Sequence, residues 1–255
     1  MIDIHSHILP GLDDGARDSD EALAMLRLAA ENGTTDIVAT PHANWQFAFD
    51  PDVVLQKIEE LQTRCGGNPR IHYGCDFHLS IENIESALDH PDRYTINQKG
   101  YLLVEFSDFQ IHKSSTEIFE KLLANGMTPI ITHPERNPIL QKSTATLRSW
   151  IKQGCWIQVT GQSLTGRFGS QAETAAKDLM SQGLVHFVAS DGHDTKNRPP
   201  SLAETGEWIC RHYGKQKAEE LLVTNPRAVL SGADLNLTVR PHKGRWPWSR
   251  RYSAD

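Results

Sequence analysis

Short apolar runs alternate along this chain with longer mixed segments that open on capping residues and close on glycine. Seven runs read as strands, over residues 2–4, 36–40, 71–75, 102–106, 129–132, 156–160 and 186–190. The segments between them read as helices. "SDEALAMLRLAAENG" begins with Ser19 and Asp20 as capping residues and stops at Asn32-Gly33. "SSTEIFEKLLANG" has a capping box from Ser114 to Glu117 and stops at Asn125-Gly126. "STATLRSWIKQG" stops at Gln153-Gly154, and "SQAETAAKDLMSQG" has a Ser170-to-Glu173 box and stops at Gln182-Gly183. Glycine past a helix end supplies the left-handed cap, and Ser-x-x-Glu satisfies the opening N–H groups. A helix running to Cys65 starts at Asp50-Pro51, since proline suits the first helical position, and two more cover 202–213 and 215–222. Strands alternating with helices imply parallel pairing, in an open sheet or a closed barrel.

Polar residues fall at the C-terminal ends of these strands. The opening "DIHSH" gives His5 and His7, two residues apart and so on one face of an extended strand. "DIVATPH" gives His42, "IHYGCD" gives Asp76, "LLVEF" gives Glu105, "PIITHPER" gives His133, and "HFVASDGH" gives Asp191 and His193. Only the sixth strand, "WIQVTG", has no obvious ligand. In α/β barrels the strand ends converge on one face, so these residues are expected to share a pocket. Singly each is a capped turn or a satisfied core histidine; together they are a constellation. A carboxylate such as Glu105 inside an apolar strand is costly unless paired or bound to metal. The ligand count exceeds the need of one tetrahedral zinc. Mixed N/O donors suit Mn²⁺, Fe²⁺ or Zn²⁺ in a cluster of two or three ions, with Glu105 the candidate bridge. Such a centre lowers the pKa of water toward about 7 and makes hydrolysis its natural chemistry. Arg136 and Arg198 are placed to reach the same face, where the arginine fork matches phosphate oxygens. Asp14 in "GLDDGA" joins them as the third catalytic candidate, a further ligand or proton shuttle unless it is only a turn residue. His72, His78, His90, His112, His186, His212 and His242 are not selected by this strand-end rule.

Composition adds limits. The chain has 255 residues, a net charge of −6 and twelve histidines, enough length for one large α/β domain and no global basicity for nucleic acid. Cys65, Cys75, Cys155 and Cys210 include no C-x-x-C pair, which fits reduced thiols in a cytosolic protein. With neither a signal-peptide pattern nor an apolar stretch of transmembrane length, the expectation is a cytoplasmic protein with no transmembrane segment. One domain over 1–238 is expected, followed by a basic tail over 239–255 with two tryptophans and the reading of a solvated terminus. "GQSLTGRFG" sits where a phosphate loop would, but Arg167-Phe168 replaces the required Lys-Ser/Thr, leaving a substrate-contacting loop as its remaining role. "CGGNPR" is one residue too short for a cysteine-phosphatase loop.

"DIHSHILPGLDDGA", "ATPH", "VEFS", "THPER", "ASDGH" and "RPP", in this order, resemble the polymerase-and-histidinol-phosphatase (PHP) superfamily. More narrowly they resemble the bacterial metal-dependent protein-tyrosine phosphatases of capsule and exopolysaccharide clusters, the CpsB/CapC type. The resemblance runs from Met1 to about Leu230. It implies a single distorted seven-stranded (β/α) TIM-like barrel with a trinuclear site, often active with manganese. By motif it implies that His5, His7, His42, Glu105, His133, Asp191 and His193 are metal ligands and that Arg136 and Arg198 contact phosphate. Asp76 stands where the family carries glutamate, so one ion is expected to sit differently. The implied partner is an autophosphorylated cytoplasmic tyrosine kinase that controls polysaccharide export. The implied reaction is in-line attack of an activated hydroxide on phosphorus, the arginines spreading the charge of the equatorial oxygens. A tyrosine leaving group, with a pKa of about 10, needs little general-acid help. The alternatives are a histidinol-phosphate phosphatase of the same superfamily, an amidohydrolase-type barrel, and a non-catalytic protein that uses metal for structure alone.

Overall fold

The computed structural model describes residues 1–235; the tail expected over 239–255 lies outside the described residues. The strands are β1 (Ile2–Ser6), β2 (Asp36–Ala39), β3 (His42–Ala43), β4 (Arg70–Tyr73), β5 (Asp76–His78), β6 (Tyr101–Glu105), β7 (Thr128–Thr132), β8 (Trp156–Thr160) and β9 (Phe187–Ala189). They form two sheets, ordered β1-β2-β4 and β3-β5-β6-β7-β8-β9, and every pairing between them is parallel. The mixed α/β class with parallel sheets is therefore as expected. The seven expected strands appear among the described residues as nine segments, because the second and third are each interrupted.

The interruptions have a physical cause. Pro41 has no N–H to give to a ladder, and a Cβ at Gly74 would lie 2.6 Å from Val38 Cγ1. Pairing resumes beyond both in unchanged register: Asp36 lies opposite Arg70 before the break, and His42 opposite Asp76 after it. The interruption is a bend, not a slip. At the other side of β1 a parallel bridge joins Ser6 to Gly192, with His7 N–H donating to Gly192 O at 2.8 Å and Asp191 N–H to His5 O at 2.9 Å.

The helices are α1 (Ser19–Glu31), α2 (Pro51–Arg64), α3 (Ile81–Asp89), α4 (Ser115–Ala124), α5 (Thr144–Gln153), α6 (Gly161–Leu164), α7 (Gly169–Ser181), α8 (Ala203–Tyr213), α9 (Lys215–Glu219) and α10 (Asn225–Ser231). Several expected caps are corrected. Asp18, not Ser19 or Asp20, caps α1, accepting from the N–H groups of Asp20 and Glu21. Neither capping box forms: Ser114 makes no side-chain cap, and α7 begins at Gly169, so that Ser170 sits inside its first turn and Phe168, not Ser170, is the N-cap. Asp50 and Pro51 open α2 as expected. Gly154, at φ 110°, closes α5.

Strand alternation separates two apolar layers. Ile37, Ala39, Phe77, Leu102, Val104, Ile131, Ile157, Val159 and Val188 face the large core that the helices cover. Ile2, Ile4, Val38, Leu103, Ile130, Phe187 and Ala189 form a smaller cluster on the other face. Continuing two residues at a time along that second face, Val38 leads to His42, Leu103 to Glu105 and Ala189 to Asp191. The small cluster is thus the floor beneath the polar strand ends.

Candidate metal centre and active site

β1 delivers its two histidines as a facing pair. His5 Nε2 and His7 Nε2 lie 3.2 Å apart, and both residues are buried. Each ring is held from behind: Gln158 Oε1 is 3.0 Å from His5 Nδ1, and Asp13 Oδ2 is 2.7 Å from His7 Nδ1. Such partners fix the tautomer and leave Nε2 free for a cation.

The remaining candidates close around this pair. Asp76 Oδ2 is 3.5 Å from His5 Nε2 and 3.2 Å from His42 Nδ1. Glu105 reaches both sides, with Oε2 3.4 Å from His42 Nδ1 and Oε1 3.6 Å from His133 Nε2. Asp14, half-exposed at the mouth, places Oδ1 3.4 Å from both His42 Nε2 and His193 Nε2. Three groups emerge whose ligand atoms lie within 4.8 Å of one another: His7, Asp14, His42 and His193; His5, His7 and Asp76; and His42, Asp76 and Glu105. Each pair of groups shares one residue, namely His7, His42 or Asp76.

Asp191 is the hinge between this cluster and the arginines. Its Oδ1 lies 3.5 Å from His5 Nε2, 3.4 Å from His7 Nε2 and 3.6 Å from His193 Nδ1. Its Oδ2 accepts from Arg136 Nη1 and, at 2.6 Å, from Arg198 Nη2. Asp191 and His133 both adopt positive φ, 52° and 31°, in a region that non-glycine residues seldom occupy. Strain of this kind persists where the surroundings over-determine the backbone, as at functional sites. All eight expected ligand candidates, Asp14 and both arginines therefore meet on one face.

The electrostatics suit a cation. Burial opposes charge on His5, but the Asp76 and Asp191 carboxylates overcome it and push the imidazole up to about 9. His42 is likewise buried, yet the Asp14 and Asp76 carboxylates set against its ring push it up to about 11. Burial, then the Asp76 charge, raises Glu105 to about 8. His193 is pushed down to about 4 by burial and by its neighbour His7. Protons on His5 and His42 thus stand in for the positive charge that the carboxylates demand. Asp76 Oδ1 and Oδ2 and His42 Nδ1 are buried and make no hydrogen bond of good geometry, although Asp76 Oδ2 lies only 3.2 Å from His42 Nδ1. Buried polar atoms without partners are costly, and a divalent ion satisfies such a set. The residues present fit a metal.

Four contributors were not selected from sequence. Asp13 and Gln158 orient the first histidines. Gln158, a lone amide in the apolar "WIQVT", was the visible signal that the sixth strand also serves the site. Glu135 is buried behind Arg136, accepting from Thr160 N–H at 2.9 Å and Ser163 Oγ at 2.7 Å, and burial raises its carboxyl to about 7. Phe168 lies beside both arginines.

The family model described as "Capsular polysaccharide synthesis, CpsB/CapC" matches residues 1–231. The chain belongs to the CpsB/CapC family. Its relatives include the tyrosine-protein phosphatase YwqE of Bacillus subtilis (strain 168), 35% identical over 220 residues that cover 85% of this chain and 86% of YwqE. The tyrosine-protein phosphatase CpsB of Streptococcus pneumoniae is 30% identical over 239 residues, 90% of this chain and 98% of CpsB. Among solved structures, one from work on YwqE and CpsB, described as unique metal-dependent tyrosine phosphatases, superposes with a TM-score of 0.85 at 31% identity. It covers 92% of this chain and 96% of that one. The Escherichia coli phosphotriesterase homology protein superposes at a TM-score of 0.60 over 89% of this chain and 97% of its own, but at 11% identity it shares the fold alone. The CpsB/CapC match spans every side chain of the constellation, from His5 to Arg198.

Proposed function

We propose that this protein is a metal-dependent phosphoesterase that hydrolyses phosphotyrosine on a cognate bacterial tyrosine kinase governing capsule or exopolysaccharide synthesis. The observation that carries this reading is the set of three overlapping donor groups joined through Asp191 to two convergent guanidinium groups. Family membership and the tyrosine-protein phosphatases among the relatives support the substrate class. In this reading His5, His7, His42, Asp76, Glu105, His133, Asp191 and His193 hold two or three divalent cations. Manganese is the first choice, with iron and zinc as alternatives. The strand segments close a distorted seven-stranded barrel within a domain over 1–238, and the protein works in the cytoplasm. Among the described residues, no helix is long and apolar enough to cross a membrane.

Divalent ions in this centre supply Lewis acidity and lower the pKa of a water toward about 7. The chain's own residues do the rest. Arg136 and Arg198 each spend one N–H on Asp191 and retain donors for the phosphoryl oxygens. Asp14 is held ionised below the usual carboxylate range by the imidazoles of His193 and His42 that face its carboxylate. From the mouth its carboxylate orients the attacking water by accepting a hydrogen bond. Phenolate, with a pKa of about 10, needs little general-acid help to leave.

The test is phosphate release from a tyrosine-phosphorylated peptide, a serine-phosphorylated peptide and histidinol phosphate, each with manganese and after chelation. Manganese-dependent turnover selective for phosphotyrosine is expected. Preference for histidinol phosphate moves the protein into metabolism, and no release from any of the three overturns the phosphoesterase reading.

A further inference from the structure

Phe168 occupies a position that helix formation does not favour. It is the N-cap residue of α7, where Ser, Thr, Asp or Asn would satisfy free N–H groups, and it supplies no side-chain cap. Core packing does not explain it either. Among the described residues Phe168 belongs to neither apolar cluster and stacks on no other aromatic ring. What its ring meets is charge. The Arg136 guanidinium carbon lies 4.4 Å from the ring centroid and that of Arg198 lies 5.8 Å away. Guanidinium groups within about 6 Å of an aromatic face are attracted by its quadrupole.

The loop bearing Phe168 is tied to both arginine loops. Glu135, next to Arg136, accepts from Thr160 N–H and Ser163 Oγ on either side of the start of α6. Gln162 Nε2 donates at 2.9 Å to Pro199 O, next to Arg198, while Gln162 O accepts from Arg167 N–H at 3.0 Å. The segment that leads into Phe168 is therefore anchored to both loops. A local choice that breaks the capping rule, without packing to offset it, marks a functional position.

We propose that Phe168 is a positioning residue: its ring is the shared platform that holds the Arg136 and Arg198 forks aligned for one phosphoryl group. The proposal rests on the phosphoesterase reading above. Asp191 Oδ2 alone fixes one N–H of each fork but leaves each guanidinium free to turn about that bond; a flat aromatic surface removes this freedom.

The experiment is calorimetric titration of inorganic phosphate into the manganese-loaded full-length protein, alongside kcat and KM for a phosphotyrosine peptide. Phe168→Leu is expected to weaken phosphate binding and raise KM by about three- to thirtyfold, with the larger change in KM and with metal content unchanged. Phe168→Tyr, which keeps the ring, restores parent values. In an Arg136→Met background Phe168→Leu should cost much less than in the parent, because its effect acts through that arginine. Equal phosphate affinity for the parent and Phe168→Leu, or equal losses with and without Arg136, overturns the proposal. If Phe168→Leu loses metal or fails to fold, the Tyr variant and a Phe168→Met variant decide it: ring-dependent affinity supports the platform, and parent affinity in Met overturns it. A parent that neither binds phosphate nor releases it from any ester overturns the phosphoesterase reading and this proposal with it.

Discussion

His7 can present Nε2 to a cation only if its other nitrogen keeps the proton, and Asp13 enforces this. Its Oδ2 lies 2.7 Å from His7 Nδ1 and accepts from His42 N–H at 3.1 Å, while Oδ1 accepts from Gly15 N–H at 3.0 Å. One carboxylate thus sets the orientation of the candidate ligand just past β1 and the backbone of the candidate ligand on β3. Asp13→Ala is expected to lower metal affinity by about 10–100-fold while leaving the fold intact, measured by manganese titration and far-ultraviolet dichroism. Unchanged affinity would show that Asp13 serves the loop and not the metal. Sequence marked Asp14 rather than Asp13, and the structure sets both against the histidines. Which of two adjacent aspartates turns inward depends on how the loop docks. Here Ala16 N–H donates to His7 O at 3.0 Å, so close that a Cβ on Gly15 would lie 2.0 Å from that oxygen. That approach is a tertiary fact with no trace in residue spacing.

At the scale of elements, two local irregularities aim the ligands. Along β1, the three steps from Asp3 to Ser6 match only two on β2, from Ile37 to Ala39. One extra residue reverses the facing of the strand. Ile2 and Ile4 can therefore line the small apolar floor while His5 and His7, of opposite parity, enter the site. The second irregularity is the bend at Pro41 and Gly74, which carries His42 and Asp76 over the floor in unbroken register. Which side chains gather at the site was legible because that needs only residue type and strand position. Bulge and bend were not, since an apolar run reads the same straight or broken. Gly74→Ala tests the bend. Its Cβ would meet Val38 Cγ1 at 2.6 Å and Thr40 Cγ2 at 3.1 Å, both side chains of the neighbouring parallel segment. Overpacking of this kind costs about 1–3 kcal/mol. Denaturant unfolding should show that loss, with metal affinity reduced as His42 and Asp76 separate. Parent stability together with parent affinity would mean that the strands can part there freely.

For the whole molecule, the consequence lies in how far apart the ligands are along the chain. His5 and His193 lie 188 positions apart along the chain, and His42, Asp76, Glu105, His133 and Asp191 come from the strand ends between them. No short segment holds even one complete set, so the unfolded chain has no comparable site. A cation that binds only the folded form stabilises it by mass action, about 2.7 kcal/mol at a hundred times the dissociation constant. For a chain of this size, each kcal/mol moves the melting temperature by roughly 2–4 °C. Manganese should therefore raise the melting temperature by about 5–10 °C over chelated protein. pH should modulate that increment in a fixed direction. In the metal-free fold His5 is pushed up to about 9 and His42 to about 11, above their ordinary value of about 6.5. Groups raised in this way contribute stability that is full below about 6.5 and fades as pH rises through their folded values. Those same protons must leave when a cation binds. Raising the pH from 6.5 toward 9 therefore weakens the metal-free form at His5 while it strengthens cation binding. The gap between the two melting curves should widen over that interval. A gap that stays constant or narrows would mean that protons and metal do not compete for these imidazoles, and that the cation binds elsewhere.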